Sequence, residues 1–293
     1  MLLKRSYFYF PFIFFLPLIN HSFVSMLSDR VAGKSMFSSV SHGSGAPVIS
    51  HQPKRRLVWA DDFDSSGVLD TKKWSFETGY IRNNEMQFYT NSRPENARVE
   101  NGLLVIEARN DSFSVGDKRF PVTSASLVTE DKASWTYGRI EVKAKIPSSL
   151  GSWPAIWMLG ADHQKVGWPA CGEIDIMENV GFDPDLIHTN IHTKSYNHVL
   201  KTNKGKSTSV SKPYHDFHVY AIEWSKTKIE FFIDQQMVFT YENEGTGTDV
   251  WPFDKPFYLI LNLAIGGSWG GQKGVDLTEL PQQFLVDYVR VYQ

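Results

Sequence analysis

Apolar and polar side chains alternate along most of this chain with a period of two, the spacing of a strand with one face in a core and the other in solvent. The stretch YGRIEVKAKI (137–146) sets Ile140, Val142, Ala144 and Ile146 on one side and Arg139, Glu141, Lys143 and Lys145 on the other. Runs of the same kind recur as RLVWADDF, LLVIEAR, SASLVTE, FHVYAIEW, KIEFFID, PFYLILNLAI and LVDYVRVYQ, separated by turn-forming clusters such as SRPEN, VENG and TEDK. No long segment keeps a 3.6-residue period, although YHDF and LTEL have the length of a single helical turn. Many short strands without interleaved helices predict an all-β fold, a jelly-roll sandwich of two antiparallel sheets.

One stretch, GEIDIMENVG (172–181), breaks the alternation. Ile174 and Ile176 alternate with Glu173 and Asp175, so those two carboxylates share a face. Glu178 falls three residues after Asp175 and on a regular strand would point into the core, where an unpaired carboxylate is expensive. A helix fares no better, because Glu173 and Glu178 would sit about 140° apart and the isoleucine alternation would serve nothing. A β-bulge around Ile176 and Met177 resolves the conflict: one extra residue resets the alternation, and Glu173, Asp175 and Glu178 face the same way.

Three acids on one open face suit a hydrolytic site, a cation site or a solvated patch. Glycoside hydrolysis uses two carboxyl groups, about 5 to 5.5 Å apart when one is a nucleophile and wider when a water must fit between them. Four strand steps of roughly 3.3 Å put the Cα atoms about 13 Å apart. Leaning side chains close much of that gap, so both geometries stay open. Asp175 between the glutamates, as a like charge, would help to hold Glu178 protonated.

Tryptophans favour the hydrolytic reading. GSWPAIWMLG and VGWPACGEIDI place Trp153, Trp157 and Trp168 close in sequence to the acids, and indole faces stack on the C–H faces of sugar rings. Trp168, five residues before Glu173, is the better stacking candidate. Trp157, followed by Met and Leu, reads as core, as do Trp59, Trp74 and Trp224. Trp269, a bulky ring in the glycine-rich GGSWGG, reads as part of a cleft wall. His188, His192 and His198 do not have the spacing of a standard zinc set.

Composition excludes other classes. With 293 residues and 42% hydrophobic content the chain can bury a full core. Thirty basic against thirty-two acidic side chains leave a net charge of −2, which argues against a nucleic-acid partner. At the N-terminus MLLKRS precedes the thirteen-residue apolar run YFYFPFIFFLPLI. That run is short of the roughly 18 to 20 residues of a spanning helix. Residues 1–25 therefore read as a signal peptide, giving a secreted or periplasmic protein with no membrane span once mature. Residues 26–54, rich in Ser and Gly, read as a flexible linker, and 55–293 as the catalytic domain. Cys171 is the single cysteine, so no intrachain disulfide exists. Nothing suggests an obligate oligomer, and the chain reads as a monomer.

WPACGEIDIMENVG resembles the signature of glycoside hydrolase family 16, in its laminarinase (endo-1,3-β-glucanase) branch. The resemblance runs from LVWADDFD to VDYVRVYQ through NNEMQFYT, SASLVTEDKASWTYGRIEVKAKIP, GSWPAIWMLG, FHVYAIEW and NLAIGGSWGG, which is nearly all of the folded part. It implies a concanavalin-like jelly roll with a β-glucan cleft across the concave sheet and a retaining double displacement that needs no cofactor. By motif position, Glu173 would be the nucleophile, Glu178 the general acid/base and Asp175 the assisting carboxylate. Asn84 in RNNEMQ, Arg139 in YGRIE, Trp153, Trp168 and His192 in NIHT match residues that line the cleft in similar enzymes. A structural Ca2+ on the convex side is also implied, at Asp62, Gly102 and Asp287, through the oxygen ligands that suit a hard cation.

Other members of the family cleave mixed-linkage glucans, agarose, porphyran or carrageenan, and related β-glucan-binding proteins keep the sandwich without the catalytic glutamates. The chain departs from its relatives at Gln235 in FFIDQQMVF, where glycine is common, which leaves the type of that turn open.

Overall fold

The computed structural model describes residues 55–293; the expected signal peptide and linker lie outside the described residues. Seventeen strands follow one another there. The first seven are β1 (Leu57–Asp61), β2 (Ser75–Glu77), β3 (Phe88–Tyr89), β4 (Ala97–Glu100), β5 (Leu103–Val115), β6 (Lys118–Ser124) and β7 (Ser126–Val128). Next come β8 (Gly138–Lys145), β9 (Ser152–Gly160), β10 (Glu173–Glu178), β11 (Leu186–His192) and β12 (Lys204–Ser209). The last five are β13 (His218–Trp224), β14 (Lys228–Ile233), β15 (Gln236–Glu242), β16 (Phe257–Ile265) and β17 (Gln282–Tyr292).

They form two sheets, as the alternation predicts. A seven-stranded inner sheet runs β12-β11-β10-β9-β16-β7-β2. A ten-stranded outer sheet runs β15-β14-β13-β8-β17-β5-β6-β3, with β1 beside β17 and β4 beside β5. All pairs are antiparallel except the short β3–β6 pair, Phe88–Tyr89 against Thr123–Ser124. Helix is confined to short turns among the described residues: His163–Val166, Gly267–Gly270 and the 3-10 turn Leu277–Glu279. The last is the turn expected in LTEL, with the Asp276 carboxylate accepting from the Thr278 N–H at 2.9 Å.

The core lies between the sheets and follows the period of two. On β8 it takes Ile140, Val142 and Ala144, and on β16 Phe257, Leu259, Leu261, Leu263 and Ile265. Trp74 and Trp224 are buried in it and Trp59 packs against it, as the sequence predicts. β9 and β16, at the middle of the inner sheet, are buried at all nine positions of each strand. Their other faces, with Ala155, Trp157, Leu159, Tyr258 and Ile260, form a smaller apolar floor on the side away from the main core. β12, with Lys204 and Lys206, is the outer edge of this sheet and is exposed at all but one position.

β10 carries the bulge. Against β9, Asp175 pairs with Trp157 and Met177 with Ile156, so Ile176 is the extra residue. Against β11 the register slips at the same place, between Asp175–Asn190 and Glu178–His188. Ile174, Ile176 and Met177 all enter the main core, fully buried, which leaves Glu173, Asp175 and Glu178 together on the other face. The chain is then tied down immediately after Glu178. The fully buried Asn179 donates from Nδ2 to the carbonyls of Asp183, Pro184 and Leu186. At Gly181 a Cβ would fall 1.7 Å from the Ser149 carbonyl oxygen, so only glycine fits.

At the tip of the β14–β15 hairpin Asp234 takes the left-handed conformation, φ 56°, while Gln235 does not. The side chain of Asp234 accepts from the Val219 N–H at 2.9 Å, which anchors the turn to β13. A glycine is therefore not needed at Gln235.

Deleting Ile176 should convert β10 into a regular strand that still presents Glu173, Asp175 and Glu178 on one side. The expected loss is about 2 to 5 kcal/mol for the missing isoleucine, read as a lower Tm of a protein that still folds and melts cooperatively. A variant that does not fold would mean that Ile176 is not the inserted residue.

Candidate active site

The face of the inner sheet away from the core is the floor of a cleft of about 1050 Å³. Cross-strand register brings its polar groups together. On β10 and β11 Glu173 is opposite His192, Asp175 opposite Asn190 and Glu178 opposite His188, and all six line the cleft.

Each glutamate is held by a tryptophan. Trp168, in the loop before β10, donates its indole N–H to Glu173 Oε2 at 2.9 Å. Trp153 on β9 donates to Glu178 Oε1 at 3.0 Å. Trp168 keeps 39% of its surface exposed, which is the state of a ring available for stacking. Trp153 instead packs edge-on against Trp269 at 5.4 Å, and Trp269 against His188 at 4.8 Å, giving an aromatic wall beside Glu178. His192 Nε2 stands 3.4 Å from Asp175 Oδ2 and 3.6 Å from Glu173 Oε1.

Burial and mutual repulsion raise the pKa of all three acids. Glu173 is pushed up to about 8, first by burial and then by the charge of Asp175, against the pull of His192 and the Trp168 N–H. Glu178 is pushed up to about 7 by burial and the charge of Glu173, offset by His192 and Trp153. Asp175 is raised well above its usual value by burial and Glu178. The cluster therefore retains protons at neutral pH, the condition for a carboxylic acid that donates one.

The far side of the cleft is built by residues that the sequence reading missed. Arg82 ion-pairs with Glu77 and lies over the Trp157 ring at 4.9 Å. Trp157 is thus floor, not main core: its indole N–H donates to Asn262 at 2.8 Å, and Asn262 donates to Tyr89 Oη at 3.0 Å. Tyr89 and Gln87 in turn donate to Glu85 at 3.1 and 2.7 Å. Glu85, 8% exposed, is raised in pKa chiefly by burial and held down by Arg82. The signal for these residues was the run RNNEMQFY itself, with polar groups at every other position from Asn83 to Gln87 inside a turn-rich segment.

Two expected cleft residues lie elsewhere. Arg139 sits on β8 in the outer sheet and pairs with Glu141 at 2.8 Å and Glu223 at 3.3 Å, a solvated face remote from the acids. With Ile140 and Val142 turned into the core, alternation sends its side chain to the outside of the sandwich. Asn84 is exposed and does not contribute to the lining; Asn83 does. Both take φ near 55°, and this left-handed pair turns Asn84 outward. Trp153, Trp168, His192 and Trp269 all line the cleft.

The expected calcium residues converge in the backbone. β17 pairs with β5 up to Val286 and with β1 from Val289 onward, so the end of β1 at Asp61–Asp62 and the β4–β5 turn at Gly102 both approach the gap around Asp287. The carboxylates there are committed to basic groups, Asp287 to Lys143 at 2.6 Å and Asp62 to Arg290 at 2.7 Å.

The family model described as glycosyl hydrolases family 16 matches residues 84–290. A β-glucanase of Rhodothermus marinus is 51% identical over 252 residues, 82% of this chain and 86% of that protein. A glucan endo-1,3-beta-glucosidase A1 of Niallia circulans is 37% identical over 277 residues, 85% of this chain and 39% of that one. The X-ray structure of the laminarinase from Rhodothermus marinus superposes with a TM-score of 0.79 at 49% identity, covering 83% of this chain and 98% of that one. The matched span begins at the lip of the cleft, takes in all three acids with both tryptophans that hold them, and ends on the last strand, and the chain belongs to family 16 of the glycosyl hydrolases.

Proposed function

We propose that the protein hydrolyses internal β-1,3-glucosidic bonds of laminarin-type glucans with retention of configuration. The observation that carries this reading is the pair Glu173 and Glu178 on one face of β10, each oriented by an indole N–H and each with a raised pKa. The cleft also offers the exposed ring of Trp168 and the Trp153–Trp269 wall on either side of the acids. The laminarinase fold at 49% identity supports the choice of substrate.

In the first step the Glu173 carboxylate attacks the anomeric carbon while Glu178 gives its proton to the departing glycosidic oxygen. In the second, Glu178 takes a proton from the water that displaces Glu173, and the β configuration is restored. Burial and the charge of Asp175 also favour a proton on Glu173, whereas the reaction needs Glu173 ionised. A leaving-group oxygen that accepts from Glu178 selects the productive arrangement. The Trp168 N–H on Oε2 positions the nucleophile and leaves its Oε1 free. Export by the signal peptide at residues 1–25, which would bring the enzyme to a polysaccharide outside the cell, belongs to the same proposal.

Laminarin cleavage should be lost in Glu173→Gln and reduced about 10² to 10⁴-fold in Glu178→Gln, measured as reducing ends released. An NMR time course should find the β-anomer first; initial α-anomer would overturn retention, and cleavage of agarose with laminarin intact would move the activity to a galactan.

kcat/KM should follow a bell-shaped pH profile with its alkaline limb between about pH 7 and 8, as the pair loses the proton that Glu178 must donate. Its acid limb should lie above the ordinary carboxylate range, because protonation of the raised Glu173 removes the nucleophile. Trp168→Phe removes a hydrogen bond that favours ionised Glu173, so the acid limb should move to higher pH.

Calcium at the Asp62, Gly102 and Asp287 junction is part of the same proposal. Asp287 and nearby carbonyl oxygens would hold it, and the cation must displace the partly exposed Lys143 ammonium. Calcium added to chelator-treated protein should raise Tm, with the increment gone in Asp287→Asn; an unchanged Tm in the parent chain would remove calcium from the reading.

A further inference from the structure

We propose that Glu173, Asp175 and His192 form a zinc site, and that zinc bound there is a reversible inhibitor competing with the polysaccharide. The three side chains offer one ligand atom each within 4.8 Å of one another. In a tetrahedral site with bonds of about 2.0 to 2.2 Å, ligand atoms are separated by roughly 3.3 to 3.6 Å. His192 Nε2 lies 3.4 Å from Asp175 Oδ2 and 3.6 Å from Glu173 Oε1, two edges of such a tetrahedron already in place.

The ligand atoms are available. Asp175 is 2% exposed, and its Oδ2 has no hydrogen-bond partner, an orphaned acceptor facing the imidazole. The Trp168 N–H occupies Glu173 Oε2, which leaves Oε1 turned toward His192. Asn190 Oδ1 accepts from the Ile191 N–H and from Asn203, so its amide nitrogen faces His192 Nε2 at 3.2 Å. In the tautomer protonated at Nδ1, Nε2 accepts this weak hydrogen bond, and its lone pair can pass from it to a metal. Trp168 on the carboxylate and Asn190 beside the imidazole act as outer-shell groups that orient the ligands.

Charge and geometry select the ion. Zinc displaces the proton that the cluster holds; the two carboxylates then neutralise the dication, and the imidazole favours zinc over magnesium or calcium. Three protein ligands leave a fourth position open to the cleft, for water or a sugar hydroxyl. Because the nucleophile is one of the ligands, a bound metal and a reacting glucan exclude each other. The inhibitory half of the proposal rests on the hydrolase reading; the binding half does not.

The test is calorimetric titration of zinc chloride into the purified chain, with thermal melts confirming that each variant is folded. One saturable site is expected, weakened at least about tenfold in His192→Asn and in Asp175→Asn and much less in Glu178→Gln, whose carboxylate is in the cluster but is not a ligand. Excess magnesium should not displace the zinc, and cobalt(II) should give the visible absorption of a four-coordinate ion. With laminarin as substrate, zinc should raise KM and leave kcat unchanged. No saturable binding, equal binding in folded His192→Asn, or a loss in Glu178→Gln as large as in His192→Asn would overturn the site. Inhibition that lowers kcat alone would overturn competition, and a chain that binds zinc as expected yet leaves laminarin intact would keep the site and remove the hydrolase.

Discussion

The structure depends on one geometric constraint: a strand alternates its side chains strictly, and β10 must send three apolar residues inward and three acids outward over six positions. Strict alternation could achieve that split only by putting Glu178 in the core in exchange for Met177. The inserted Ile176 removes the conflict, since Ile176 and Met177 enter the main core as neighbours and Glu178 returns to the face of Asp175. Packing and chemistry thus specify the same backbone. The core gains two large side chains at a point where the cleft gains its third carboxyl group, and Asn179 and Gly181 fix the chain directly afterwards.

Gathering three acids in one cleft is electrostatically unfavourable, and the cleft offsets this first with His192 and then with neutral indole donors. The two glutamates receive indole N–H groups from separate elements, Trp168 from a loop and Trp153 from the adjoining strand. The guanidinium of Arg82, the basic group that influences both Glu173 and Glu85, is itself paired to Glu77. A full counter-charge against Glu173 or Glu178 would return it to the ordinary carboxylate range and remove the proton that acid catalysis requires. Neutral donors orient the carboxyl groups while leaving most of the burial penalty in place.

Much of this was legible in the residues. The period of two in YGRIEVKAKI and PFYLILNLAI identified the sandwich, and the misplaced Glu178 identified the bulge before any coordinates. What stayed hidden depended on which sheet a strand joins. Arg139 was assigned to the cleft by its match to related enzymes, and β8 proved to lie in the other sheet; Trp157 was assigned to the core from the Met and Leu after it, and it proved to be cleft floor. The segment Arg82–Tyr89 was difficult for another reason. Its conformation is set by two consecutive left-handed residues and by contacts to Asn262 and Ile265, more than a hundred residues away in the chain, and no local pattern carries that information.

The edge strand β12 carries one more consequence. A sheet that ends in an unpaired strand is a template for another chain, and a hydrophobic edge would let molecules add to one another strand by strand. Here the edge reads KGKSTS, with Lys204 and Lys206 on an exposed backbone and no large apolar side chain. Two such edges meeting would bring like charges together along a surface with nothing to bury. The strand that borders the cleft therefore also guards this two-sheet fold against fibrillar self-association.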